Sequence, residues 1–181
     1  MADRTAVVNE RGFTLAELLV ASAVLGFIML GVLLVQRQGL TAYLVGAGRV
    51  EVQQNARAAL DIMMNEVRLA QSVTAVAAGC GTGPVPTGGG STSLSITDQS
   101  STAVQYQLVG TTLQRNGVVL IGGVLTLRIW CYDAAEALTA TASNVRAVRI
   151  QVTTGTESGA TALNGRNQRA VMESRVTLRN L

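Results

Sequence analysis

The sequence predicts an α+β protein. One long N-terminal α-helix, membrane-spanning in its first half and amphipathic in its second, packs on a small antiparallel β-sheet head. Three observations carry that expectation. An apolar run extends from Phe13 to Val35. A proline-free amphipathic stretch follows it to about Val73. From Leu94 onward, apolar and polar residues alternate at period two, as in strands with one buried face.

The apolar run carries a single charge, Glu17, and two hydroxyls, Thr14 and Ser22. As a helix rising about 1.5 Å per residue it is roughly 34 Å long, enough to cross a bilayer. It holds no proline, and Gly26 and Gly31 leave small, packable spots. A secretory signal has an apolar core of only about 7–15 residues followed by a cleavage site, so this run is too long for one. Arg4 and Arg11 precede it and Arg37 and Arg49 follow it, so flanking charge leaves the orientation undecided. Glu17 is the anomaly, because a carboxylate in a membrane segment costs a few kcal/mol unless it is paired or reached by water.

The next stretch repeats apolar residues at three- and four-residue steps: Ala56, Ala59, Leu60, Met63, Val67 and Ala70. Arg57, Asp61, Asn65 and Arg68 fall on another face, with Arg57 and Asp61 spaced as an i, i+4 pair. A single helix from Phe13 to about Val73 would be roughly 90 Å long. Gly79 to Gly90 breaks the pattern with six glycines and the chain's only prolines, Pro84 and Pro86. No lysine follows these glycines, so no phosphate loop is spelled here.

The remainder reads as about seven short strands. Leu94 and Ile96, then Val104, Tyr106 and Leu108, alternate with Ser, Thr and Gln. Leu125, Leu127, Ile129 and Cys131 share one face, with Thr126, Arg128 and Trp130 on the other. Val148, Ile150 and Val152, then Met172, Val176 and Leu178, continue the pattern. Asn116-Gly117 marks a two-residue hairpin turn. Asp133 to Asn144 and Gly155 to Gln168 read as loops.

Composition removes most catalytic chemistry. The 181 residues include 14 basic residues, all Arg, against 11 acidic ones, and no His, for a net charge of +3. Without His there is no His-based acid–base pair, no Ser-His or Cys-His nucleophile and no His metal ligand. Two Cys cannot build a four-Cys zinc site. Asp98, Asp133, Glu136, Glu157 and Glu173 are scattered. Asp133 and Glu136 share a loop but fall short of the six to eight oxygens that Ca²⁺ takes. The expectation is a protein with no enzymatic activity, no cofactor and no metal.

The residues around Glu17 decide what it is for. Arg11-Gly12-Phe13-Thr14-Leu15-Ala16-Glu17 and the apolar helix after it resemble the class III signal of type IV pilins and type II secretion pseudopilins. The resemblance implies cleavage after Gly12 by a membrane prepilin peptidase and N-methylation of the new terminus, Phe13. It also implies a role for Glu17 in assembly, pairing with the N-terminal ammonium of a neighbouring subunit. The chain then divides into a leader (1–12), a transmembrane or filament-core helix (13–35), the amphipathic helix of the head (36–75), a Gly/Pro-rich loop (76–91) and a β-rich head (92–181). Many major pilins carry a proline in the membrane half of this helix, and none is present here.

Asn55 to Ala70, with Arg57, Leu60, Asp61, Arg68 and Ala70, further resembles the helix of PilW-like minor pilins and J-type pseudopilins. Tyr106, Leu113 to Arg115, Gly123-Val124 and Tyr132-Asp133 fall in the order that family's strands use. The function this implies is a minor-pilin structural subunit, stored as a single-pass protein of the inner membrane with its head in the periplasm. It would then assemble into a type IV pilus, at initiation or at the tip, with other pilin or pseudopilin subunits as partners. Three alternatives stay open: a type II secretion pseudopilin, a pilus-borne DNA- or surface-binding module, and an unprocessed single-pass membrane protein. For DNA, Arg166, Arg169, Arg175 and Arg179 cluster near the C-terminus, but solvated strand faces explain them more simply. In an oxidising compartment Cys80 and Cys131 would either bridge or stay as buried thiols. A bridge closing about 50 residues is worth roughly 4 kcal/mol by loop entropy.

Overall fold

One helix, α1 (Leu15–Leu69), opens the chain, and eight strands follow it. The computed structural model describes residues 12–75, 89–156 and 168–179. The chain divides into two compact units, Met1–Tyr43 and Leu44–Leu181. In the first unit the apolar side chains of α1 face outward all round, with Phe27 75 % and Leu18 66 % exposed. This segment is long and apolar enough to cross a membrane.

The second unit buries one stripe of α1: Val52, Ala56, Ala59, Leu60, Met63, Met64 and Val67. Arg57, Asp61, Asn65 and Arg68 lie exposed on its other faces. Arg57 and Asp61 do not form an ion pair among the described residues. The cation precedes the anion along the helix, the less favourable order for such a pair.

The strands are β1 (Ser72–Ala75), β2 (Ser93–Thr97), β3 (Ala103–Val109), β4 (Thr112–Arg115), β5 (Val118–Ile121), β6 (Val124–Tyr132), β7 (Ala147–Gly155) and β8 (Arg169–Thr177). They form two antiparallel sheets, one of five strands ordered β1-β2-β3-β4-β5 and one of three ordered β6-β7-β8. Leu94, Ile96, Val104, Tyr106 and Leu113 of the first sheet meet Leu127, Ile129, Val148, Ile150 and Val152 of the second in one core. The helix stripe from Ala59 to Val67 belongs to the same core. The buried Thr154 hydroxyl of β7 donates to the Val52 carbonyl at 2.7 Å and ties sheet to helix.

Two turns need their glycines. Asn116 and Gly117 take φ of 51° and 79°, the backbone that a tight hairpin between β4 and β5 requires. At Gly90 a Cβ would stand 2.6 Å from the Arg128 Cβ. Its absence lets Ser91 and Ile129 exchange backbone hydrogen bonds at 3.0 Å.

Four expectations need correction. The helix ends at Leu69, not near Val73, and Ser72–Ala75 within the expected helical segment 36–75 is a strand. The Gln71 amide donates to the Thr97 carbonyl at 2.9 Å, so the chain leaves the helix straight into a ladder with β2. β-branched Val73 and Thr74 favour that outcome. The head holds two sheets rather than one, with eight described strands rather than about seven. In β6 a register shift between Val124 and Thr126 turns Leu125 off the core face, and Val124 takes the buried place. Trp130 was expected on the outer face, yet it is wholly buried. It stands in register with Arg149 of β7.

Tyr106 is the core's one phenol, fully buried, and its hydroxyl makes no hydrogen bond among the described residues. Beside it, Glu66 of α1 pairs with Arg115 of β4, the arginine Nε donating to both carboxylate oxygens at 3.0 and 3.2 Å. Burial, and after it the nearby Glu66 carboxylate, pushes ionisation of Tyr106 well above the ordinary tyrosine range. The neutral phenol is therefore the folded form, and its contribution to stability is complete below the unfolded value of about 10 and lost as pH rises beyond it. Thermal melts of the purified chain should fall with pH above about 10. Tyr106→Phe should flatten that fall and leave neutral-pH stability unchanged or raised by about 1 kcal/mol, since it removes a buried hydroxyl that forms no bond.

Candidate processing and assembly site

The described part of the N-terminal signal lies at the start of α1. Gly12, Phe13 and Thr14 precede the first residue of α1, and Phe13 is 89 % exposed. A Cβ added at Gly12 would meet nothing within 4 Å, so the fold itself does not require a glycine there. The bond between Gly12 and Phe13 lies in open, non-helical chain, the form a peptidase cleft accepts.

Thr14 and Glu17 close the helix start with reciprocal bonds. The Thr14 amide and hydroxyl both donate to Glu17 Oε2 at 2.9 Å, and the Glu17 amide donates to Thr14 Oγ1 at 3.3 Å. This is a capping box, which satisfies donors that the first helical turn leaves unpaired. Oε1 of Glu17 takes no hydrogen bond among the described residues. The carboxylate also lies at the positive end of the helix dipole, where an anion is favoured. Thr14 as a partner of Glu17 was missed by sequence reasoning. The signal that finds it is the spacing itself, a Thr followed three residues later by Glu just before an apolar run.

The other candidates do not converge on a reactive centre. Cys131 is buried on β6, and no described cysteine is free. Cys80, its expected partner, and Arg166 lie outside the described residues, as does the leader 1–11. Asp133 Oδ1 accepts from the amides of Ala135 and Ala137 at 2.9 Å and so caps a turn. Glu136 pairs with Arg175 at 3.2 Å. Among the described residues no cluster of three metal-ligating side chains occurs.

Two arginines of the second sheet, Arg149 and Arg175, are matched by acids. Arg149 donates to both oxygens of Glu173 at 2.7 and 2.8 Å. Arg175 stacks over the Tyr132 ring at 4.6 Å from its centroid. A phosphate backbone would have to compete with these carboxylates.

The chain thus joins an apolar N-terminal helix, with a processing signal at its start, to a β-rich head. A family model described as the prokaryotic N-terminal methylation motif matches residues 8–33. The motif, at the start of a long apolar helix, supports a type IV pilin-like protein. It implies processing by prepilin peptidase and assembly with other pilin subunits, and the apolar helix fits anchoring in the inner membrane. No curated protein and no solved structure matches the chain.

Loss of the cap should be felt locally. Thr14→Val keeps the shape but removes the hydroxyl, and the first turn of α1 should lose about 1 kcal/mol. Hydrogen exchange of the Leu15 to Leu18 amides, read in detergent micelles, should accelerate severalfold. Unchanged exchange there would mean that the Thr14–Glu17 bonds do not hold the helix start.

Proposed function

We propose that the chain is a minor pilin. It is cut after Gly12, methylated at Phe13 and inserted through α1 into a type IV pilus, as a low-abundance initiation or tip subunit. The observation that carries the processing half is the methylation motif at residues 8–33, whose Gly12–Phe13 bond is exposed and outside the helix. The minor-pilin half is supported by the resemblance of the segment from Asn55 to Ala70, in which Leu60 and Ala70 are buried in the head while Arg57, Asp61 and Arg68 are exposed.

In this reading Glu17 is the assembly residue. A lone carboxylate and a lone ammonium are each expensive in lipid, whereas a pair of them costs much less. Pairing Glu17 with the Phe13 ammonium of a neighbour favours entry into the fibre in one register. The head stands in the periplasm, where Cys80 and Cys131 form a bridge. The apparatus is a pilus rather than a secretion machine, and no enzymatic activity accompanies the structural role.

Mass spectrometry of the N-terminus tests the proposal first. Membranes of wild-type cells should yield a chain starting at methylated Phe13, and cells without prepilin peptidase should yield the uncut chain. A start at Met1 or Ala2 in wild-type cells overturns the reading. Glu17→Ala should leave cleavage intact and lower recovery in sheared fibres at least tenfold. Alkylation without reductant should label neither cysteine, whereas labelling of both in the native periplasmic chain would rule out the bridge.

A further inference from the structure

The two outer faces of the head differ in charge. The second sheet carries Arg128, Arg149, Glu173 and Arg175 on its outer face. The outer face of the first sheet carries none. The β2–β3–β4–β5 registers place Ser93, Ser95, Gln105, Gln107, Gln114 and Val119 there. Those side chains are exposed or half-buried.

This neutral face ends at β5, an outermost strand whose far side has no strand partner among the described residues. Val118 and Val119 are 67 % and 55 % exposed. An edge strand with free backbone donors and acceptors is a template for another strand, and proteins usually blunt it with charge, proline, shortness or a bulge. The other three outermost strands differ from it: β8 carries Arg169, Glu173 and Arg175, β6 carries Arg128 and is bridged to Ser91 and Leu138, and β1 is short, with a register shift at Val73/Ala75 and its Val73 buried. β5 is short and bulged at Leu120, but it carries neither charge nor proline and presents two adjacent valines to solvent.

We propose that β5 pairs with an edge strand from the head of a different pilin-like subunit. The free backbone groups of an edge accept an extended strand, which fixes the shape of the partner. The absence of charge on β5 and on the face beside it fixes its chemistry: an uncharged strand with apolar residues at alternate positions. A second copy of this chain is the wrong occupant. Pairing β5 with β5 is a two-fold contact that closes after two chains, whereas fibre subunits repeat along a screw and meet through unlike surfaces. The other edges of a second copy are charged, as in β6 and β8, or short and shifted, as in β1. The inference rests on assembly into a fibre as proposed above.

The test uses the full-length chain in cells, with a photo-crosslinking residue at Val119 or, as control, at Val171 of β8, which is 61 % exposed. Val119 should give at least fivefold more adduct than Val171, joined to another processed pilin-like protein at an uncharged strand of its head. Val119→Lys, an exposed substitution that the fold tolerates, should cut the adduct formed by a probe at Val118 at least fivefold without lowering the abundance of the chain. Equal yields from Val119 and Val171, adducts to a second copy of this chain, or an unchanged Val118 yield in Val119→Lys each overturn the proposal. The N-terminus of the same sample separates the two readings. A chain starting at Phe13 without the Val119 adduct overturns the strand pairing alone, and an uncut chain overturns both.

Discussion

Burial of one helical stripe is the constraint on which the head depends. From Val52 to Val67 the helix offers Ala56 and Ala59 where space is small and Leu60, Met63, Met64 and Val67 where volume is needed, all on one side. Neither sheet can close without it, because each turns its own apolar face to that stripe and to the other sheet. The Thr154 bond to the Val52 carbonyl adds direction to a contact that hydrophobic burial alone leaves free to slide. Before Tyr43 the same helix has no such stripe and is apolar on all sides. A surface of that kind is stable in lipid or among other helices and costly in water.

How much of this was readable beforehand depends on the range of the interaction. The apolar run, the three-and-four spacing of Ala56 to Ala70 and the period-two strands are local patterns, and each appears in the element its period implies. The end of the helix was not legible. Ala70 and Gln71 look as helical as their neighbours, and the decision is taken by Thr97, far along the chain, whose carbonyl receives the Gln71 amide. The split into two sheets was hidden for a similar reason. It turns on a break in pairing between β5 and β6, where strand periodicity continues on both sides. Leu125 and Trp130 show two ways alternation fails: a bulge shifts the phase, and a residue on the outer face is buried all the same.

The processing site was legible as a motif but not as a geometry. Gly12, Phe13 and Glu17 were each marked by the resemblance, whereas Thr14 was only one of its letters. The structure gives Thr14 a physical task, because its hydroxyl and amide converge on one oxygen of Glu17. Gly12 is the reverse case. Nothing around it in the described chain demands a glycine, so the demand must come from outside the chain, as it would at a cleavage point.

The capping box also bears on how a charge waits in an apolar segment. A carboxylate with no partner near lipid is driven to neutralise or to find water. Glu17 instead holds three local hydrogen bonds that its own helix supplies, and they engage only one of its two oxygens. The other oxygen is left for a cation without breaking the cap. Under the proposed function, that division lets one side chain stabilise the solitary helix and still offer a full charge to the ammonium of an incoming subunit. A cap that used both oxygens would make assembly compete with the folding of the helix start. A Glu17 with no cap would lose the internal partners that offset its burial before assembly. Two bonds converging on Oε2, with Oε1 open, meet both requirements with a single threonine three residues away.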